Sequence, residues 1–249
     1  MRKPIIAGNW KMYKNVQQTC AFFDQFLPLV SGSNHCDIVV CPTFVNLQAA
    51  VDHTAGSNVQ IGGQNLFWAK EGAYTGEISA GMLTAVGCRW VLIGHSERRH
   101  YFGETDETVA KKIGPALEAG LNPIVCVGEV LAERESGQTN AVLERQFKNG
   151  IASVGAEQFS KIVIAYEPVW AIGTGKTATP EIAAAAHKVI RGLAQDTFGE
   201  AAAANCRILY GGSVKPDNVH QLMAEEQIDG ALVGGASLDP VSFASLVNF

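Results

Sequence analysis

Glu167 follows a short apolar run, KIVIAY (161–166), whose β-branched residues predict a buried strand. Pro168 comes next and has no N–H with which to continue a ladder, so the strand ends and a loop begins, carrying Trp170, two glycines and a Thr. A carboxylate at a strand end beside a loop that can shut is a candidate general base. Excluding water makes its ionised form more costly and the base stronger. A solvated Glu in a turn is the alternative. The same loop must also be compared with nucleotide motifs. A Walker A reading ending at Gly175-Lys176-Thr177 needs Gly at 170, where Trp stands, and GTGKTA (173–178) fits G-x-G-x-x-A only formally. It begins several residues past the strand and lies before Pro180, the expected start of a helix.

Other polar residues stand where apolar runs stop. Asn9 and Lys11 close the first run, His95 and Glu97 the fourth, Gly211-Gly212-Ser213 the seventh and Gly234-Gly235 the eighth. Singly, Lys11 reads as a surface lysine, His95 as a turn histidine and the glycine pairs as tight turns. Their convergence at strand ends is what favours a functional site over those separate explanations. YGGSVKPDN and LVGGASLDP each put two glycines and a Ser between a strand and an expected helix, where backbone N–H groups and a helix N-terminus can hold an anion.

The elements needed to position these groups follow from the periodicity of the chain. Eight short apolar runs (5–11, 37–42, 59–66, 90–97, 122–129, 161–167, 206–213 and 230–237) alternate with segments of helical character. Among those segments are AFFDQFLPLV, TDETVAKKIGPALEAG with Thr105 as N-cap and Gly120 as stop, and TPEIAAAAHKVIRGLAQDTF with Pro180 in its first turn. Alternating strands and helices imply parallel pairing through right-handed crossovers, and eight units close a barrel with its functional groups at the C-terminal ends of the strands. A doubly wound open sheet is the other arrangement. Nothing in the composition marks a domain boundary, so 1–249 is expected to be one α/β domain.

The 249 residues are 47% hydrophobic, enough for a large core, and the net charge is −5 with an isoelectric point near 5.7. No Lys/Arg run tracks a phosphate backbone, which argues against a nucleic-acid partner. The apolar run near the start is only 5–7, too short for an export signal, and no stretch approaches a membrane span. The expected location is the cytoplasm. Six scattered cysteines without a CxxC pair suggest neither a zinc site nor a disulfide framework, and read as reduced, small apolar residues.

Six segments in order, AGNWKM (7–12), VLIGHSERR (91–99), VCVGE (125–129), AYEPVWAIGTGK (165–176), YGGSV (210–214) and LVGGASL (232–238), give the chain a close resemblance to the triosephosphate isomerase family over essentially its whole length. The resemblance implies a single (β/α)8 TIM barrel and the interconversion of dihydroxyacetone phosphate and D-glyceraldehyde 3-phosphate, a step of glycolysis and gluconeogenesis, through an enediolate without cofactor or metal. It implies that Glu167 moves the carbon-bound proton and that His95 polarises the carbonyl oxygen. The neutral imidazole at a helix N-terminus is taken from that family itself. It further implies that Lys11 supplies charge and Asn9 a hydrogen bond to the enediolate, and that Gly173, Ser213, Gly234 and Gly235 bind phosphate through backbone N–H groups. Glu97 and Cys126 are expected to support these residues without touching substrate.

The stretch NLFWAKEGAYTGEIS (65–79) carries Phe67, Trp68 and Tyr74 among polar and glycine residues, an apolar patch that needs a cover. Another part of the same chain could provide it. The family resemblance implies instead that this loop enters a neighbouring subunit of a homodimer, with Thr75 near the partner's site. Two other functions remain in view. A Schiff-base aldolase needs a lysine at the end of a middle or late strand, where this chain has Glu129, Glu167 and Ser213, and a phosphate-binding protein without catalysis needs neither His95 nor Glu167.

Overall fold

The computed structural model describes residues 2–172 and 177–249. Its strands are β1 (Ile5–Asn9), β2 (Asp37–Cys41), β3 (Val59–Gly63), β4 (Trp90–Ile93), β5 (Asn122–Val127), β6 (Val163–Tyr166), β7 (Arg207–Tyr210) and β8 (Gly230–Val233). Each pairs in parallel with its neighbours in sequence, and β1 also pairs with β8, so the sheet closes into a (β/α)8 barrel and the open alternative is excluded.

Closure explains why the strands read as continuous apolar runs, since both faces of every strand are buried. Ile5 and Ala7, Val39 and Cys41, Trp90 and Leu92, and Ile124 and Cys126 point into the lumen and form one core with Val163, Ala165, Leu209 and Leu232. The alternate residues, among them Ile6, Ile38, Val40, Val91 and Ile164, join a larger core between the barrel and its helices.

The helices begin where the sequence supplies caps. Asn15 and Gln18 form a capping box at Val16–Val30, which buries Phe22, Phe23 and Phe26. Thr105 caps Asp106–Glu118 and Thr179 caps Pro180–Phe198, as the sequence predicts, while Gly120 takes a left-handed turn just past the former. The ring of Trp10 lies 4.8 Å from that of Phe22, and its indole N–H donates to the carbonyl of Ser237 at 3.0 Å. The loop after β1 is thereby fastened to the loop after β8.

The apolar runs overshoot the strands mainly at their C-terminal ends. β4 stops at Ile93, β7 at Tyr210 and β8 at Val233. Those last few residues leave the ladder and become the loops at the barrel mouth. All six cysteines are free, and all but the partly exposed Cys20 are buried; burial pushes the Cys88 and Cys206 thiols up to about 12. Among the described residues no helix is long and apolar enough to cross a membrane.

Candidate active site

A cavity of about 430 Å³ opens at the C-terminal end of the strands, lined by Asn9, Lys11, His95, Glu167, Ser213, Gly234 and Gly235 among others. Residues from the ends of β1, β4, β6, β7 and β8 therefore meet in one place. Glu167 also borders a second cavity of about 380 Å³ with Arg99, Cys126 and Gln146. That one reaches neither His95 nor Lys11 nor the glycine loops, so it is the first cavity that brings the residues expected from the sequence together.

Glu167 is the residue after β6, and its carboxylate is buried between the ends of β5 and β7. The backbone packs so tightly there that a Cβ on Gly128 would lie 1.7 Å from the carbonyl oxygen of Glu167, and one on Gly211 would lie 2.9 Å from its Cγ. Only glycine fits on either side, which explains a Gly in both VCVGE and YGGSV in terms of the base they flank. Oε2 accepts the Ser96 N–H at 2.9 Å, and Oε1 lies 2.9 Å from His95 Nε2. Burial alone would raise the carboxyl pKa. His95, the Ser96 N–H and Lys11 outweigh it and hold Glu167 below the usual carboxylate range, so it is ionised and ready to accept a proton.

His95 is the N-cap of the helix Ser96–Tyr101, and its Nδ1 accepts the Glu97 N–H at 3.2 Å. That amide leaves Nδ1 without a proton and puts the ring's single proton on Nε2, facing Glu167. Burial works against a charged ring, while the adjacent Glu167 carboxylate favours one and leaves the imidazole pKa above its free value. Most of the raising influence comes from Glu167 and a smaller part from Glu97.

Lys11 lies in the left-handed region at φ 52°, unusual for a residue with a side chain. Its N–H donates to Asn9 Oδ1 at 3.0 Å, and its ammonium reaches Glu97 Oε1 at 2.5 Å. A Cβ on Gly234 would stand 3.5 Å from Lys11 Cε and 3.9 Å from Nζ, so the cation runs alongside the glycine loop after β8. In that loop the Ser237 N–H and hydroxyl both donate to the Gly234 carbonyl, at 2.9 and 2.7 Å. Among the described residues the backbone N–H groups of Ser213, Gly234 and Gly235 have no acceptor. Three free amide donors beside an ammonium make a site suited to a phosphate dianion.

The sequence profile of the triosephosphate isomerase family matches residues 4–249. The chain is a member of the triosephosphate isomerase family. It is 65% identical over the full length of both chains to the triosephosphate isomerase of Solibacter usitatus (strain Ellin6076). The enzymes of that name from Moorella thermoacetica (strain ATCC 39073 / JCM 9320) and Citrifermentans bemidjiense are 55% and 53% identical over the whole of this chain and 99% of theirs.

For a triosephosphate isomerase family member, the remaining expected residues divide by position. Cys126 faces the lumen against Glu167, and burial first, then that carboxylate, push its thiol well above the ordinary value. Glu97 holds Lys11 as described. Thr75 is exposed on the 65–79 loop and does not line the cavity. Gly173 lies outside the described residues. Sequence reasoning missed several residues that hold the site together. Glu129 is fully buried and accepts the Trp170 indole N–H at 2.9 Å and the Tyr166 hydroxyl at 3.1 Å, with Arg134 at 3.2 Å, so it grips the loop that starts at Pro168. Glu104 accepts the Gly94 N–H and pairs with Arg98 and Lys112, fixing the turn just before His95. A strand-end Glu was visible for the first; nothing local marked the second.

Proposed function

We propose that the chain interconverts dihydroxyacetone phosphate and D-glyceraldehyde 3-phosphate through an enediolate by general acid–base catalysis. The observation that carries this reading is the contact between the buried Glu167 carboxylate and the His95 Nε2 proton, in one cavity with Lys11 and two loops of free amide donors. Glu167 removes the proton from C1 of the ketose. The electrons of that C–H bond form the C1–C2 double bond, and charge moves onto the C2 oxygen. His95 donates its Nε2 proton to that oxygen and regains a proton from the other, while Glu167 returns its proton to C2. No redox partner is needed, because the two carbons exchange oxidation levels within the molecule. Lys11 and Asn9 favour the enediolate by charge and hydrogen bonding, and Ser213, Gly234 and Gly235, with Gly173, bind the phosphate. No cofactor or metal enters the scheme.

Turnover of glyceraldehyde 3-phosphate, coupled to NADH-dependent reduction of the ketose product, tests the reading directly. Absence of turnover in the folded protein overturns it. Cleavage to smaller carbonyls, trapped by borohydride on a lysine, would point to an aldolase, and phosphate binding without turnover to a binding protein.

The working form in this reading is a homodimer. The Phe67 ring lies tilted against Trp68 at 4.0 Å and against Tyr74 at 4.5 Å, building an aromatic cluster on the 65–79 loop. Met12, Tyr13, Val45, Met82, Tyr101 and Phe102 are exposed elsewhere on the chain, several on the loops after β1, β2 and β4. So much exposed apolar surface, with Tyr13 also lining the cavity, supports a second copy as its cover. The free cysteines agree with a cytoplasmic setting. A barrel built from Ile5 to Val233 and a last helix Pro240–Val247 packed on its larger core support reading 1–249 as one domain.

A further inference from the structure

We propose that Gln64 is a positioning residue for Lys11, holding the left-handed turn that delivers the ammonium to the active site. The inference rests on the isomerase reading, because it assigns Lys11 a place in that reaction. Lys11 carries a side chain at φ 52°, a conformation that costs energy in any residue but glycine and persists only where neighbours enforce it. Two side chains grip its peptide groups from opposite ends. Asn9 Oδ1 accepts the Lys11 N–H at 3.0 Å, and Gln64 Nε2 donates to the Lys11 carbonyl at 2.8 Å. The second proton of the same amide goes to the Cys41 carbonyl, at the end of β2, at 2.9 Å.

Gln64 is the residue after β3, so it has a fixed base, and its amide ties the turn after β1 to the end of β2. Without it the Lys11 carbonyl has no such tether, and the strained residue can relax to an ordinary conformation. Relaxation redirects Cα–Cβ and carries the ammonium away from Glu97 and Gly234. Asn9 alone does not prevent this, since it holds only the N–H side. Gln64 also opens the segment that continues into the 65–79 loop, so any restraint on that loop by a second subunit acts next to the clamp.

The test is a double-mutant cycle. Gln64→Ala is expected to lower kcat/KM for glyceraldehyde 3-phosphate by ten- to a hundredfold, with the melting temperature of the dimer little changed. In a Lys11→Met background the same substitution should cost less than threefold, because the residue it positions no longer has a charge to place. Gln64→Glu serves if the alanine variant fails to fold. At neutral pH its carboxylate faces two carbonyl oxygens and should mimic the loss. As the pH falls and the side chain gains a proton, it can donate to one of them, and activity relative to the parent at the same pH should partly return. Full activity in a folded Gln64 variant, or an equal loss with and without Lys11, overturns the inference. An inactive parent protein would instead remove the isomerase reading on which it depends.

Discussion

At the scale of single residues, the site works by opposing influences on one buried pair. Glu167 is kept ionised by His95 and Ser96 despite burial, and His95 is drawn toward protonation by the carboxylate that it faces. Glu167→Asp withdraws the carboxylate by about one bond length, and misplacement on the order of 1 Å costs about a hundredfold in rate. A folded Glu167→Asp enzyme within a few-fold of the parent rate would show that another group is the base. Glu167→Gln removes the charge that raises the His95 pKa while leaving burial and the Glu97 N–H in place. The imidazole pKa, followed by the ¹⁵N shift of His95, should therefore fall relative to the parent; an unchanged or higher value would mean that Glu167 is not what raises it. These two residues, Lys11, and the glycines beside them were legible in the sequence because each stands at the end of an apolar run. Gln64 and Glu104 were not: Gln64 acts on peptide groups that only barrel closure brings near, Glu104 on a turn ten residues back, and an amide or a carboxylate in a loop carries no local sign of either.

At the scale of elements, the strands were placed well at their N-terminal ends and overextended at the other. An apolar run does not distinguish its last paired residue from a loop residue that is buried for another reason. Gly94, Gly211 and Gly234 are cases in point: each lies in an apolar run but begins a loop at the barrel mouth. The inward and outward halves of each strand were also invisible, because a residue buried on either face reads the same. Two loops carry predictions. On the 65–79 loop, Thr75→Arg puts a bulky charge beside the Phe67, Trp68 and Tyr74 cluster, and should shift the protein toward monomer and lower activity although residue 75 does no chemistry. Sedimentation at several concentrations checks this, and a fully active monomer of the unmodified chain would remove the dimer. The loop after Glu167 starts from a segment held by Glu129 through Trp170 and Tyr166. Deleting 172–175 should leave the barrel folded, cut isomerisation by orders of magnitude and let the enediolate expel phosphate, so that methylglyoxal becomes a larger share of product. Slower isomerisation with an unchanged methylglyoxal share would restrict the loop to binding.

At the scale of the whole molecule, packing helices around a closed ring of eight strands buries polar groups that do not line the cavity, and one of them sets a pH limit on stability. His187, on the helix Pro180–Phe198, is completely buried; its Nδ1 lies 3.1 Å from the Gln227 carbonyl, and its Nε2 has no partner among the described residues. Burial lowers its pKa from 6.5 to about 4, against smaller raising influences from Gln227 and Asp229. The group is depressed in the folded state, so between these two values the unfolded chain binds a proton that the native protein does not. The contribution is fully present above pH 6.5 and is lost as the pH falls toward 4. A difference of about 2.5 units corresponds to roughly 3 kcal/mol. The lowered carboxyls of Glu104 and Glu167 have the same sign but act below the ordinary carboxylate value, so they overlap only the acid end of this window. Replacing His187 by Gln removes the titration and keeps a side chain able to meet the Gln227 carbonyl. Unfolding free energies at fixed protein concentration should then fall less steeply in the variant than in the parent between pH 6.5 and 4, the two curves differing in slope by about 3 kcal/mol across the window. Parallel curves would mean that the buried imidazole takes up its proton in the native state after all, and that acid loosens the barrel through its carboxylates alone.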